Sequence, residues 1–559
     1  MEGTRESRIK EIINWVANKP EEKGLLQNNT YWIYGLPGIG KTSLAHSICA
    51  SLHDQRLLAG AFFCRRDDPS LSEPITILPT LIYKLAEIFP PFRKIVEYYL
   101  RNDTILTPES MKGSLFRDFL DNLPRDPNNS LVFVIDAFDE CGDKRSRSDL
   151  LKHLIRAAAS VSWLKIIITS RPEADIERVF DESPGSSCCR YDLTKDQEAS
   201  HDLRKFAEYE FGLVAQEWGL PAPWPEKPLL DRLISQANGL FIFIKTLVLA
   251  LEHCPDPTDF LEATSQEAGA GLEPLYMLYS KIINSRITHS KAEFQRMIGV
   301  LLTAAPYRAL CEETIAELAG VGPILVKKWV KDLSSLLSPD EGTNGGIRVR
   351  HLSISEFLVS PCDYQINLQD ANVKLGIACL KQMVSKPRFN ICKLEDSRLA
   401  NADVKDLPSR VREHISDSLQ YSSLYWSNHL CSTPDQNDRR VWGALKEFFE
   451  GVHPLFWIEV LSLMGMVPMG VPSIRKVTSW AKVSLAPVCI QFRVILISCR
   501  MGIRPFLREF RTFVVSCSLF TPPSQSALHT PIFPRDPSCP HTRFYPTLSA
   551  QGLLNPSRW

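Results

Sequence analysis

The 559-residue sequence has no net charge: Lys+Arg and Asp+Glu are both 64. That balance leaves no electrostatic footprint for nucleic acid or an anionic membrane, so neither is expected as a partner. Its 15 cysteines include no CxxC pair and no Cys/His group at zinc-ligand spacing, which removes the common zinc modules. Cys188 and Cys189 are adjacent and poorly placed to bond each other, so reduced, intracellular thiols are expected. The start, MEGTRESRIKEII, lacks the apolar region of a signal peptide. The most apolar stretch, APVCIQFRVILISCRMGI, is cut by Arg493 and Arg500, whereas a membrane span needs about 20 largely uncharged residues. A cytoplasmic protein follows. No repeat at the propeller period of about 40–45 residues, no Trp-Asp dipeptide and no ankyrin-like TPLH is present. At 44% hydrophobic and 23% charged, the composition is that of a globular chain long enough for about three or four domains.

What the chain does have begins at YWIYGLPGIGKTSLAHSICA. Tyr31–Tyr34 reads as a buried strand, and Gly35 to Thr42 fits GxxxxGK[ST] at every fixed position. Gly35, Gly38 and Gly40 let the backbone turn its N–H groups inward around phosphates, with Leu36, Pro37 and Ile39 between them. A helix starting near Lys41 adds its positive end, and Ser43 lies in its first turn. Lys41 is expected at the β- and γ-phosphates, and Thr42 at Mg²⁺. By average residue usage the pattern arises by chance in about 2% of chains this long, so nucleotide binding is the reading.

NNSLVFVIDAFDECGD supplies the partner strand. Leu131–Ile135 is a continuous apolar run, as in a central parallel strand, and it ends on Asp136, the expected metal carboxylate. Asp139 and Glu140 follow at the same edge, and either can orient or deprotonate a water. Asp143 reads as part of a solvated loop. In WLKIIITSRPE, Ile166–Ile168 is another buried strand, with Arg171 emerging where it can sense a γ-phosphate.

These motifs resemble the NACHT class of signal-transducing P-loop NTPases, of the STAND type. VFVIDAFDECGD and IIITSRPE carry the likeness; EGTRESRIKEIINWV, AGAFFCRRDD and ILPTLIYKLAEIFPPF are similar to its fungal, NLR-like branch of heterokaryon incompatibility and innate immunity. The resemblance runs to about residue 485. It implies a switch between an ADP-bound closed state and an ATP-bound open state that oligomerises with itself or related NACHT proteins. ATP/ADP is the implied nucleotide, with GTP open, and hydrolysis is slow. It further implies that Arg171 is a sensor, that Arg5 of Gly3-Thr4-Arg5 lies beside the base, and that His351 touches the ADP β-phosphate and locks the closed state. A half-buried structural His351 is the alternative. Phe241 replaces a base-contacting proline, and Phe241 and Phe243 are read as core.

The expected fold is an α/β P-loop core, a parallel sheet flanked by helices, followed by α-helical and winged-helix domains and a disordered tail. The boundaries are a lead-in helix at 1–29, the core at 30–185, a helical domain at 186–290, a winged helix at 291–361, a helical connector at 362–485 and the tail at 486–559. LLDRLISQANGLFIFIKTLVLALE reads as two helices around Asn238-Gly239. The winged helix is read from three short helices, a glycine loop and a strand in IRVRHLSISEFLVSP. Its Lys327, Lys328 and Lys331 are balanced by acids, so docking rather than specific nucleic-acid binding is expected. The tail has no lysine after Lys482 and little periodicity, as for a segment read out of frame or through an intron. Neither a preceding effector domain nor a sensor array is expected from this sequence. A truncated, non-enzymatic regulator that binds nucleotide and related proteins therefore stays open, as does a plain P-loop ATPase or kinase.

Overall fold

The computed structural model describes residues 4–17, 29–101 and 130–481, apart from 162, 184–187, 197, 253, 267–268, 270, 288–289, 341–344, 397–398, 433–437 and 450. All of these lie in one compact unit, Met1–Leu496. Gly3, most of the glycine loop before Ile347 and the tail expected from residue 486, with its apolar stretch, lie outside the described residues.

Five strands form one parallel sheet: β1 (Thr30–Tyr34), β2 (Leu58–Phe63), β3 (Leu131–Asp136), β4 (Leu164–Ser170) and β5 (Cys188–Asp192), in the order β2-β3-β4-β1-β5. Successive residues of a strand point to opposite faces. Tyr31, Ile33, Val132, Val134 and Ile167 thus enter a core with helices α1 (Glu6–Ala17) and α2 (Lys41–Asp54). Trp32, Phe133, Ile135, Ile166 and Ile168 enter a second core against helices Pro74–Ile88, Lys144–Ser160 and Ala174–Glu182. Burial on both faces explains the unbroken apolar runs in β3 and β4. Because β4 lies between β1 and β3, its end sits between the loop after β1 and Asp136.

The sheet continues past the expected core boundary at 185, because β5 pairs with β1 through Asp192. This half-buried edge strand, CCRYD, carries Arg190 and has no apolar run to betray it. It also separates Cys188 and Cys189 onto opposite faces, and neither is in a disulfide. Asp143 is no idle loop acid. Its carboxylate caps helix Lys144–Ser160 by accepting from the N–H groups of Arg145 and Ser146.

Helices Lys227–Ala237 and Phe241–Leu251 meet at Asn238 (φ 46°) and Gly239 (φ 80°). Helices Lys291–Ala304, Glu312–Ala319 and Pro323–Asp332 precede an antiparallel hairpin of β6 (Leu337–Pro339) and β7 (Ile347–Val349), and Leu310 bridges to Ile347. The strand expected in IRVRHLSISEFLVSP stops at Val349. The remainder is a helix, Leu352–Val359, capped by His351, whose Nδ1 accepts from the Ser353 N–H at 3.2 Å. A side-chain cap of this kind leaves no periodic trace in the sequence.

Helices Leu368–Ser385, Asp417–Leu430, Arg439–Phe449, His453–Leu463 and Gly470–Ala481 pack around the edge-to-face pair Trp426–Trp457. At the tightest crossing a Cβ on Gly376 would lie 2.5 Å from Leu430 Cδ2. Gly376→Ala gains about 1 kcal/mol of helix propensity and loses about 1–3 kcal/mol to overpacking. A lower melting temperature in differential scanning fluorimetry is expected, and a rise would show that the crossing has slack. Among the described residues no helix is long and apolar enough to cross a membrane.

Candidate functional site

The loop after β1 is shaped by two left-handed glycines, Gly38 (φ 77°) and Gly40 (φ 95°). Gly38 is also pressed from outside. The Ile242 N–H donates to its carbonyl at 3.2 Å, and a Cβ there would lie 2.1 Å from Ile242 Cγ2. Helix α2 starts directly after Gly40, so its free N–H groups face the loop interior. Lys41 is buried, and its Nζ donates to the carbonyls of Gly35 (2.9 Å) and Leu36 (2.8 Å), leaving a third proton for an anion. Burial lowers its pKa to about 8, with the Asp139 carboxylate pulling the other way.

Asp136 ends β3 and is buried. Burial raises its pKa, against hydrogen bonds from the hydroxyls of Thr169 and Thr42. Ala137 turns left-handed (φ 52°) and swings the chain into Asp139 and Glu140. Asp139 is engaged: its carboxylate accepts from the Arg171 N–H at 3.0 Å and pairs with Arg171 Nε at 3.3 Å. Its carbonyl accepts from Arg147 Nη1 (2.5 Å) and Arg66 Nη2 (3.4 Å), and Arg147 is itself held by Asp175. Glu140 is less tied, with Oε2 accepting from the Arg66 N–H at 3.1 Å. Burial pushes its pKa up to about 7, opposed by that N–H and reinforced by Asp139.

The far wall comes from the hairpin region. Glu356, on helix Leu352–Val359, forms an ion pair with Arg171. His351 stands over the glycine loop, where a Cβ on Gly38 would lie 3.8 Å from its Cε1. Its pKa falls to about 4 through burial and then through Arg171 and Lys41. The neutral ring accepts at Nδ1, so its proton is on Nε2. Arg5 is buried at the opposite end, paired with Asp196, donating to the Ile39 carbonyl at 3.4 Å and lying 5.8 Å over the Phe241 ring. Phe243 is core, but Phe241 is half-buried on the cleft wall, which corrects its expected place: the Phe241 ring packs beside Arg5 and Phe206.

One cleft of about 1310 Å³ brings together Arg5, Pro37 to Ser43, Asp136, Asp139, Glu140, Arg171 and His351. Gly35 and Leu36 stand behind it and hold Lys41. Thr169, Arg66 and Glu356 lie inside the quoted stretches IIITSRPE, AGAFFCRRDD and IRVRHLSISEFLVSP, but nothing in those stretches gives them, or Arg147, a role. Among the described residues no group of three or more His, Cys, Asp or Glu could hold a metal alone. The adjacent Thr42 hydroxyl and Asp136 carboxylate are the sparse oxygen set that suits Mg²⁺ completed by phosphates and water. Bound there, the ion would offset phosphate charge.

A parallel sheet carrying this loop, with Asp136 and Arg171 at neighbouring strand ends, defines a nucleotide-binding P-loop NTPase. Residues 11–171 match the family described as nephrocystin 3, N-terminal. The chain is 24% identical over 486 residues to the vegetative incompatibility protein HET-E-1 of Podospora anserina, covering 80% of this chain and 34% of that protein. The chain therefore spans about a third of the length of that curated relative. Both similarities support a P-loop NTPase of the NACHT type. Solved structures with similarity include the Aeropyrum pernix ORC1 protein in complex with DNA (TM-score 0.30, 13% identity, 64% of this chain and 93% of that one) and the Walker-type ATPase of Pyrococcus abyssi (TM-score 0.30, 13% identity, 64% and 95%).

Proposed function

We propose that this chain is a nucleotide-controlled switch, cytoplasmic and acting in fungal non-self recognition as the name of HET-E-1 suggests. It binds ATP/ADP with Mg²⁺ through Gly35–Ser43 and Asp136, hydrolyses ATP slowly, and exchange controls its assembly with itself or related NACHT proteins. Arg5 and Phe241 would flank the base. Residues 291–361 act as a winged-helix cover, and His351 as a β-phosphate contact through Nε2–H. The supporting observation is the seam: Glu356 and His351 close on Arg171 and the phosphate loop. A kinase would instead need its acceptor to reach that face. Denaturing the purified full chain and chromatographing the released nucleotide tests the reading. About one ADP per chain is expected. An empty protein with fast turnover would indicate a plain ATPase or kinase, and one that binds nothing would indicate a remnant.

Glu140 is the hydrolytic base in this reading, because Asp139 is held by Arg171. It is active when ionised, so turnover should rise through about pH 7 and fall about tenfold per unit below it. Glu140→Gln should lower kcat about 10²–10⁴-fold with little change in nucleotide affinity. A steady-state pH series on both proteins checks this, and a pH-independent wild type would remove Glu140 from the role.

A further inference from the structure

The hairpin β6–β7 reaches the sheet at a second place, away from His351. Arg348 on β7 is buried, with Nε 2.6 Å from Asp340 Oδ1 and Nη1 2.8 Å from Asp67 Oδ2. The same Nη1 also donates to the Asp67 carbonyl. Arg348 thereby holds both the side chain and the backbone of one residue in the turn that follows β2. That turn is short and closed on itself, with the Asp68 N–H donating to the Arg65 carbonyl at 3.1 Å and Arg65 Nε lying 2.9 Å from Asp67 Oδ1. One peptide unit before Asp67, the Arg66 N–H holds Glu140 Oε2. Arg66 Nη2 reaches the carbonyl of Asp139 in the same acidic turn.

We propose that Arg348 and Asp67 are positioning residues for Glu140: the hairpin fixes the Arg65–Asp68 turn, and the turn's backbone N–H fixes the hydrolytic carboxylate. This role presupposes that Glu140 is the base. Hydrolysis is then fastest while the hairpin is docked. Undocking slackens the turn, withdraws the N–H and leaves the carboxylate free to rotate away from the water it serves. The hairpin so makes hydrolysis conditional on its re-docking over ATP, by a route separate from the Arg171–Glu356 pair, and turnover stays slow because the ATP-bound chain is mostly open.

The charged and titratable groups facing Glu140 are Arg66 on the turn, Asp139 beside it, Arg171 after β4, Lys41 at the start of α2, and the Cys64 thiol at the end of β2. Slackening the turn draws the Arg66 N–H away from Glu140 Oε2. That N–H favours the ionised carboxylate, so its loss raises the Glu140 pKa.

The test uses the full-length chain with Asp67→Ala, which removes the carboxylate arm of the link, and Arg348→Ala, which removes both the carboxylate and the carbonyl arm. Each should lower kcat about tenfold and shift the acid limb of the kcat–pH profile to higher pH. Asp67→Ala keeps the buried Arg348–Asp340 pair, so it guards against a variant that merely misfolds. An unchanged kcat and acid limb in both Asp67→Ala and Arg348→Ala, alongside a Glu140→Gln enzyme that is inactive, overturns the link to the hairpin alone. A fully active Glu140→Gln enzyme overturns the assignment of the base beneath it.

Discussion

Lys41→Ala should weaken nucleotide binding by about a hundredfold. The buried ammonium lies beneath the glycine turn, and it is kept charged by the Gly35 and Leu36 carbonyls and nearby carboxylates. A charge-assisted hydrogen bond to phosphate is worth about 1.5–3 kcal/mol, and the truncation also strands two carbonyls. About 3 kcal/mol corresponds to roughly two decades in Kd. Titration calorimetry with ADP, with circular dichroism as a check on folding, measures it. Lys41→Arg should not rescue, because a planar fork needs more width than the single ammonium position provides. Undiminished affinity in Lys41→Ala would place the phosphates elsewhere in the cleft.

Glu356→Ala should speed ADP release about tenfold. The Glu356–Arg171 pair joins the hairpin region to the end of β4, with Arg171 side-chain exposure of 16% and Glu356 of 28%. Truncating one member of a partly buried, hydrogen-bonded pair costs up to about 2–5 kcal/mol. Arg171 retains Asp139 as a partner and the pair is partly exposed, which puts the expected loss below that range, at about 1.4 kcal/mol, or tenfold. Most of that loss should appear in the dissociation rate. Stopped-flow release of a fluorescent ADP analogue reads it directly. Arg171→Ala is the less clean variant, because it also frees Asp139. The double variant separates the pair from those side effects, and an additive double would mean that the two side chains do not cooperate.

The sequence made the centre of the site legible and left its cover illegible, for reasons of distance along the chain. The phosphate loop, Asp136 and Arg171 each follow a short apolar run that must be a buried strand, so position and chemistry come from the same few residues. The edge strand β5 has no such run, and the expected boundary cut it off. The seam is invisible locally: Arg171 and Glu356 are 185 residues apart, and Arg348 and Asp67 are 281 apart. Glu356 and Arg348 read as ordinary surface charges until the chain is folded. Phe241 was misplaced because a half-buried ring at the start of an apolar helix has the same period as a core ring. The domain limits suffered for a similar reason, since a sheet is closed by pairing that adjacent residues do not encode.

The central claim is that the hairpin region covers the bound nucleotide and leaves when the triphosphate replaces the diphosphate. Amide hydrogen exchange on the full chain, with saturating ADP and then with a non-hydrolysable ATP analogue, tests it most directly. The account predicts strong protection of Ile347–Val349 and Leu352–Val359 with ADP, and faster exchange in both segments with the analogue, while β3 and β4 stay protected in each. Equal protection of those segments in the two nucleotide states would contradict it.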